Sequence, residues 1–248
     1  MEAAENARVL IMIAAYNEEE NIESVVDDLT AHFPQYDYLV INDGSTDHTE
    51  EILKRRRYNY VSLPVNLGIG GAIQTGYLYA WKNHYDIAVQ IDGDGQHDPK
   101  YIPAVISPIL KDQADYVIGS RFVTGEGFQS TAARRTGIRF LSGLIHLTCG
   151  KRVQDVTSGF RAVRRQSIRE FSRHYPIDYP EPEAIVDAIM RRERILEVPV
   201  VMRSRQHGTS SIRARQSVYY MIKVSLDIIV CRISYGLRRG QRETGKAE

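Results

Sequence analysis

The chain has 248 residues, 43% of them hydrophobic and 25% charged, with a formal net charge of +1 and only two cysteines, Cys149 and Cys231. That is enough to bury one substantial core, and it points away from a disulfide framework, a zinc cluster or a repeat array. Tyr58–Trp81 is uncharged but broken by Pro64 and four glycines, so it does not read as a membrane span, and with no secretory leader the expected compartment is a reducing cytosol.

Charge is distributed unevenly. Residues 201–248 carry ten Lys/Arg against three Asp/Glu, whereas the preceding 200 carry 22 against 28. A basic tail behind an acidic body suggests a polyanionic partner: a membrane surface, a phosphorylated substrate or a nucleic acid.

In chain order, Val9–Ala14, Tyr38–Asn42, Tyr60–Leu63, Ile87–Ile91 and Tyr116–Gly119 read as strands. Between them Asn21–His32, Asp47–Arg57, Gly70–His84 and Pro99–Leu110 read as helices, with apolar residues recurring at three and four. Thr46 or Asp47 is expected to cap the second helix, and Asp98 with Pro99 to start the fourth. A polar loop over Thr124–Arg135 precedes a helix to about Leu147. A strand near Phe160–Val163, a helix near Glu183–Arg192 and a strand near Ile195–Val201 follow. Such alternation predicts right-handed crossovers and a largely parallel sheet covered on both faces.

In sheets of this kind ligands bind beyond the carboxyl ends of the strands. The polar clusters fall at those ends: Tyr16-Asn17-Glu18, then Asn42-Asp43-Gly44-Ser45, then Asp92-Gly93-Asp94-Gly95-Gln96-His97. In the last, two carboxylates and a carboxamide alternate along an extended tip and point the same way. Two carboxylates so close repel unless a cation lies between them, and hard oxygen ligands suit Mg2+ or Mn2+ carrying a diphosphate. An Asp/Gly turn with no ligand has the same pattern. His97 reads as an orienting group and not as a metal ligand.

The ordered set of these motifs resembles glycosyltransferase family 2, and more closely its dolichyl- and polyprenyl-phosphate sugar transferase branch. The resemblance spans about residues 8–212. It also rests on Asn66-Leu-Gly68-Ile-Gly70-Gly71, Gly119-Ser-Arg121, Asp155-Val-Thr-Ser158-Gly159-Phe160-Arg161 and Arg205-Gln-His-Gly208-Thr-Ser210. Ala14 stands where the family usually has Pro.

The resemblance implies an α/β GT-A fold over residues 1–212. It also implies inverting transfer of a hexose or N-acetylhexosamine from a UDP- or GDP-sugar to a polyprenyl phosphate, with Mg2+ or Mn2+. Ala15, Tyr16, Glu18, Asn42 and Asp43 would line the nucleotide, and Gly68 and Gly70 would let the backbone approach it. Asp92, Asp94 and Gln96 would hold the metal, with Asp92 and Arg121 also touching the nucleotide-sugar. Arg134, Arg135 and Arg205 would clamp the acceptor phosphate, and Asp94, Asp155 and Arg205 would act in catalysis. For an alcohol acceptor Asp155 would be the base; an anionic phosphate oxygen needs none, and Asp155 would then position groups. The hydroxyl-acceptor reading therefore stays open.

Other classes fit less well. Processive synthases carry a Gln/Arg-x-x-Arg-Trp motif, and the sole tryptophan here is Trp81. A sugar-1-phosphate nucleotidyltransferase would want a glycine-rich basic loop where Ala14–Glu20 is acidic and glycine-free. A non-catalytic nucleotide-sugar sensor would not need carboxylates at 92, 94 and 155. The basic tail matches no nucleic-acid module.

The segment 213–248 reads as an extension. Gln216–Gly236 is a predicted helix of about six turns, apolar around most of its girth, with Lys223, Asp227 and Ser234 on one stripe. It is expected to dock on anionic lipid at the cytoplasmic membrane face, on a small membrane-protein partner or on a second copy of the chain, or to pack on the sheet.

Overall fold

The computed structural model describes residues 7–126, 131–203 and 214–244, with side chains of the last stretch described from 220 to 235. Among these residues seven strands form one sheet: β1 (Val9–Ala15), β2 (Asp37–Asn42), β3 (Tyr60–Ser62), β4 (Ile87–Asp92), β5 (Tyr116–Ser120), β6 (Arg161–Arg164) and β7 (Ile195–Pro199). Their spatial order is β3-β2-β1-β4-β6-β5-β7. All neighbours are parallel except β6, which runs antiparallel to both β4 and β5.

Every residue of β1 is buried, the mark of a central parallel strand covered on both faces. Alternate residues feed two cores. Leu10, Met12 and Ile41 face α3 (Gly68–Lys82), α5 (Ala132–Cys149), α6 (Arg165–Arg173), α7 (Pro180–Met190) and α8 (Ala214–Thr244). Val9, Ile11 and Ile13 face α1 (Ile22–His32), α2 (Thr49–Arg56) and α4 (Ile102–Leu110).

The expected elements are present, with shifted ends. At α2 the cap position itself is His48, with no side-chain cap bond, and Asp47 just before it accepts the Thr49 amide on Oδ1 at 3.0 Å, while the Thr46 amide goes to Asn17. Asp98 and Pro99 open a short 3-10 turn ahead of α4, with Asp98 Oδ1 accepting from the Lys100 amide at 3.1 Å. Helix α3 starts at Gly68, two residues earlier than expected. Helix α6 has no matching periodicity in the sequence, because Arg165–Arg173 carries only Ile168 and Phe171 as buried apolar side chains.

Helix α8 is longer than predicted, reaching Thr244. Val224 and Ile228 join the core, and Lys223 donates to Asp178. Ile222, Leu226, Ile229, Val230 and Ile233 remain exposed. Among the described residues no helix is long and apolar enough to cross a membrane.

Candidate active site

Three adjacent parallel strands end together. Ala15 pairs with Asn42 and Ala14 with Asp92, and two further hydrogen bonds extend the ladder, Asp43 N–H to Ala15 O at 2.9 Å and Gly93 N–H to Ala14 O at 2.8 Å. The polar residues that follow β1, β2 and β4 therefore share one rim.

On the β1–β2 side, Tyr16 is 46% exposed at the mouth. Glu18 is buried, its Oε2 accepting from Asn21 Nδ2 at 2.7 Å. Asn42 holds the rim together: its Oδ1 takes the Ser45 amide and its Nδ2 donates to Ser62 Oγ at 3.0 Å. Asp43 Oδ1 accepts the Leu67 amide at 2.7 Å and so fixes the start of α3. Burial raises the Asp43 carboxyl above the usual carboxylate range, against the pull of the Leu67 and Gly68 amides.

The glycines of this region divide. Gly68 has φ +77° and open space around a notional Cβ, so it serves the turn. Gly70 serves packing: a Cβ there would lie 2.1 Å from the Pro176 carbonyl oxygen, and its amide donates to Ile177 O at 3.1 Å.

At the β4 tip, Asp94 Oδ1 accepts the Gln96 amide at 3.0 Å across the turn made by Gly95, φ +74°. Asp92 donates its amide to His97 Nδ1 at 3.0 Å. A ring nitrogen that accepts is unprotonated, so the His97 proton sits on Nε2, and burial holds that imidazole down at about 4. His97 thus orients the Asp92 backbone. Gly159 packs against the same carboxylate, since a Cβ there would lie 3.1 Å from Asp92 Oδ2. Gln96 turns toward Arg203, whose amide donates to Gln96 O at 2.9 Å.

Among the described residues no three His, Cys, Asp or Glu side chains gather into a metal-holding group. Asp92 and Asp94 offer acceptor-only oxygens and leave most of a coordination sphere to other ligands. That donor set fits Mg2+ or Mn2+ completed by phosphate and water better than a closed structural site.

Arg121 and Asp155 form one unit. Nε donates to Oδ2 at 2.8 Å, Nη2 to Oδ1 at 2.6 Å and the Arg121 amide to Oδ2 at 3.0 Å. Asp155 is 0% exposed and Arg121 6%. Arg134 is exposed on the first turn of α5, and Arg135 borders a cavity beside that helix. Arg205, Gly208 and Ser210 lie outside the described residues.

Two supports have a role that the sequence does not assign: Glu197, and Arg161 at the end of the Asp155–Arg161 motif. Glu197 on β7 accepts the Gln154 and Asp155 amides, each at 2.8 Å. Arg161 is fully buried and donates to Ser158 O at 2.6 Å, to Glu181 O at 3.0 Å and to the Tyr116 hydroxyl, anchoring the 155–160 loop from beneath. A charged residue inside a short strand pattern was the available signal for both.

A mostly parallel sheet with polar groups beyond the ends of β1, β2 and β4 is the frame of a GT-A glycosyltransferase. Residues 10–172 match the sequence profile of the family described as "Glycosyl transferase family 2". The chain belongs to that family and is a glycosyltransferase. It is 33% identical over 213 residues to the UDP-N-acetylglucosamine--dolichyl-phosphate N-acetylglucosaminyltransferase of Methanococcus voltae, covering 77% of this chain and 84% of that one. It is 31% identical over 218 residues to the undecaprenyl-phosphate mannosyltransferase of Micrococcus luteus, covering 83% and 87%. Among solved structures, glucosyl-3-phosphoglycerate synthase from Mycobacterium tuberculosis with UDP superposes with a TM-score of 0.69 at 25% identity, over 94% of this chain and 82% of that one. The same enzyme with Mn2+, UDP and glucosyl-3-phosphoglycerate gives 0.66 at 25% identity, with the same coverage.

Proposed function

We propose that this chain transfers a hexose or N-acetylhexosamine from a UDP- or GDP-sugar to a polyprenyl phosphate, with inversion at the anomeric carbon. Asp92 and Asp94 would hold Mg2+ or Mn2+, and Gln96 lies beside them. When bound, the metal would offset charge on the departing nucleotide diphosphate. Tyr16, Glu18 and Asp43 would line the nucleotide end, with Ala15, Asn42 and Gly68 shaping the backbone around it, while Gly70 seats α3 against the Pro176–Ile177 backbone. Arg134, Arg135 and Arg205 are assigned to the acceptor phosphate.

The observation that carries the choice of acceptor is the Arg121–Asp155 pair. A hydroxyl acceptor must lose a proton to a base within hydrogen-bond reach. Asp155 is sealed from solvent and already accepts three hydrogen bonds from Arg121, so it is poorly placed to receive that proton. A phosphate oxygen is anionic at neutral pH and requires no base. The names of the Methanococcus and Micrococcus relatives point the same way. On this reading Asp155 and Arg121 position the 120–122 and 155–160 segments around the reacting atoms.

A lipid-borne acceptor asks for peripheral membrane contact, and the exposed apolar row of α8 is the segment suited to it, with a small membrane-protein partner or a second copy as its other occupants.

Thermal stabilisation by UDP, GDP and their sugar conjugates, with Mn2+ and with EDTA, tests the donor half. A shift with one nucleotide that vanishes in EDTA and in Asp94→Ala supports the reading. No shift with any nucleotide contradicts it.

A further inference from the structure

Beyond β7 the chain crosses the carboxyl ends of its neighbours. The Val200 amide donates to Ser120 O at 3.1 Å at the end of β5, and Val200 and Met202 are buried in the core on the α1 and α4 side. The next residue, Arg203, reaches the loop that follows β4, two strands further across the sheet from β5.

Arg203 holds that loop at two points. Its amide donates to Gln96 O at 2.9 Å, and its Nη2 lies 3.0 Å from Asp98 Oδ1. Its Nη1 donates to Asp28 Oδ2 on α1 at 2.9 Å. One residue thus ties together three separate stretches of chain: 200–203, α1 and 96–98. Asp98 is a firm anchor, since it is buried and also accepts the Lys100 amide at 3.1 Å.

The two points bracket His97, and each carboxylate of the β4 tip is one hydrogen bond from the bracketed segment. The Gln96 amide donates to Asp94 Oδ1 at 3.0 Å, and His97 Nδ1 accepts the Asp92 amide at 3.0 Å. A shift of residues 96–98 therefore moves both carboxylates, and Mg2+ in particular demands near-ideal ligand geometry. Groups that orient ligands in this way tune metal affinity strongly.

Charge alone gives the opposite expectation. A guanidinium close to two carboxylates repels an incoming dication, so a purely electrostatic Arg203 would weaken metal binding. Its side chain is 45% exposed, and ion pairs of that kind add little to stability. Position, charge and stability therefore predict different outcomes for the same substitution.

We propose that Arg203 is a positioning residue for the metal turn, holding residues 96–98 so that Asp92 and Asp94 take the spacing a divalent cation requires. This role rests on the reading that those two carboxylates bind the metal. Arg203 acts through Gln96 and His97 and not on the reacting atoms.

The test is a Mn2+ titration of the full chain at saturating UDP or GDP, following the electron paramagnetic resonance signal of free Mn2+ against a blank of nucleotide alone. The wild type should take up Mn2+ beyond the blank, and Asp94→Ala should not. Arg203→Gln should bind Mn2+ about tenfold more weakly, with a melting temperature within about 3 °C of the wild type. Arg203→Lys keeps the charge but offers a single point in place of a fork, so it should stay closer to Arg203→Gln than to the wild type. Mn2+ binding by Arg203→Gln as tight as the wild type's, or tighter, would overturn the proposal and leave the guanidinium only its charge. So would weaker binding accompanied by a large fall in melting temperature, which would mark a general loss of structure. No uptake beyond the blank by the wild type would sink the metal reading itself, and the role of Arg203 with it.

Discussion

Arg121 and Asp155 lie 34 residues apart in the chain and meet in a buried, two-pronged ion pair, Nε–Oδ2 at 2.8 Å and Nη2–Oδ1 at 2.6 Å. The pair joins the end of β5 to the loop that enters β6, and a third bond to Thr157 Oγ1 at 2.9 Å braces the same loop.

Removing one partner leaves the other charged and buried, which costs far more than the pair contributes net. Asp155→Ala and Arg121→Ala should each lower stability by about 3–5 kcal/mol, read from urea unfolding midpoints. Exposed Arg134→Ala should change stability by less than about 0.5 kcal/mol, although it is assigned to the acceptor phosphate.

The two carboxylates of the β4 tip give the opposite sign. Without a cation they repel, so Asp94→Ala in EDTA should leave unfolding free energy within about 1 kcal/mol of wild type, the lost turn bond to Gln96 offsetting the relieved repulsion. With Mn2+ and nucleotide present, the wild type should gain about 2.7 kcal/mol at a hundred times the dissociation constant, and the variant none. Calorimetry in both buffers measures the contrast.

Gly68 and Gly70 separate backbone freedom from packing. Gly68→Ala must hold a left-handed φ of +77° with no clash and should cost about 1–2 kcal/mol. Gly70→Ala would drive a methyl to 2.1 Å from the Pro176 oxygen, a backbone atom that cannot rotate away. It should cost about 3 kcal/mol, at or above the upper end for overpacking. Denaturant titration of the two variants should rank them in that order.

At the opposite end of the sheet, Arg194 Nη2 holds Asp112 Oδ1 and Asp115 Oδ1, each at 2.8 Å, and Arg164 reaches Asp115 at 3.0 Å. The Arg194 hydrogen bond, then that of Arg164, lowers the Asp112 carboxyl from 3.8 to about 2, and Arg194 chiefly lowers Asp115. Because the folded values lie below the unfolded ones, the unfolded chain binds more protons in this window. The contribution is complete above about pH 4 and is lost as pH falls through 2. Arg194→Ala should therefore differ from wild type at neutral pH and converge with it toward pH 2 in urea titrations.

Much of this architecture was legible because the informative residues are local. Strands β1, β2 and β4 are short runs dominated by Val, Ile, Leu and Ala, and each polar cluster follows its strand directly, so the shared rim needed only the rule for parallel sheets. The antiparallel direction of β6 was not readable: Arg161–Arg164 is buried on both faces, and alternation carries no sign of direction. The roles of Arg121 and Asp155 stood in separate motifs, and only the fold shows that they spend their charge on each other. Gly70 illustrates a different limit, since a glycine for a turn and a glycine for a crossing backbone are written alike. Helix α6 was hidden by its composition, in which Arg165, Arg169 and Arg173 outnumber the two buried apolar side chains.

The claim that an anionic phosphate, and no base-activated hydroxyl, is the attacking group is tested most directly by offering two acceptors of equal chain length, polyprenyl phosphate and polyprenol. Both should be presented with radiolabelled UDP- and GDP-sugars and Mn2+. Labelled lipid is expected from the phosphate alone, hydrolysed by mild acid to release the sugar. Transfer to the free alcohol, or to a soluble sugar hydroxyl while the phosphate stays unlabelled, would contradict it.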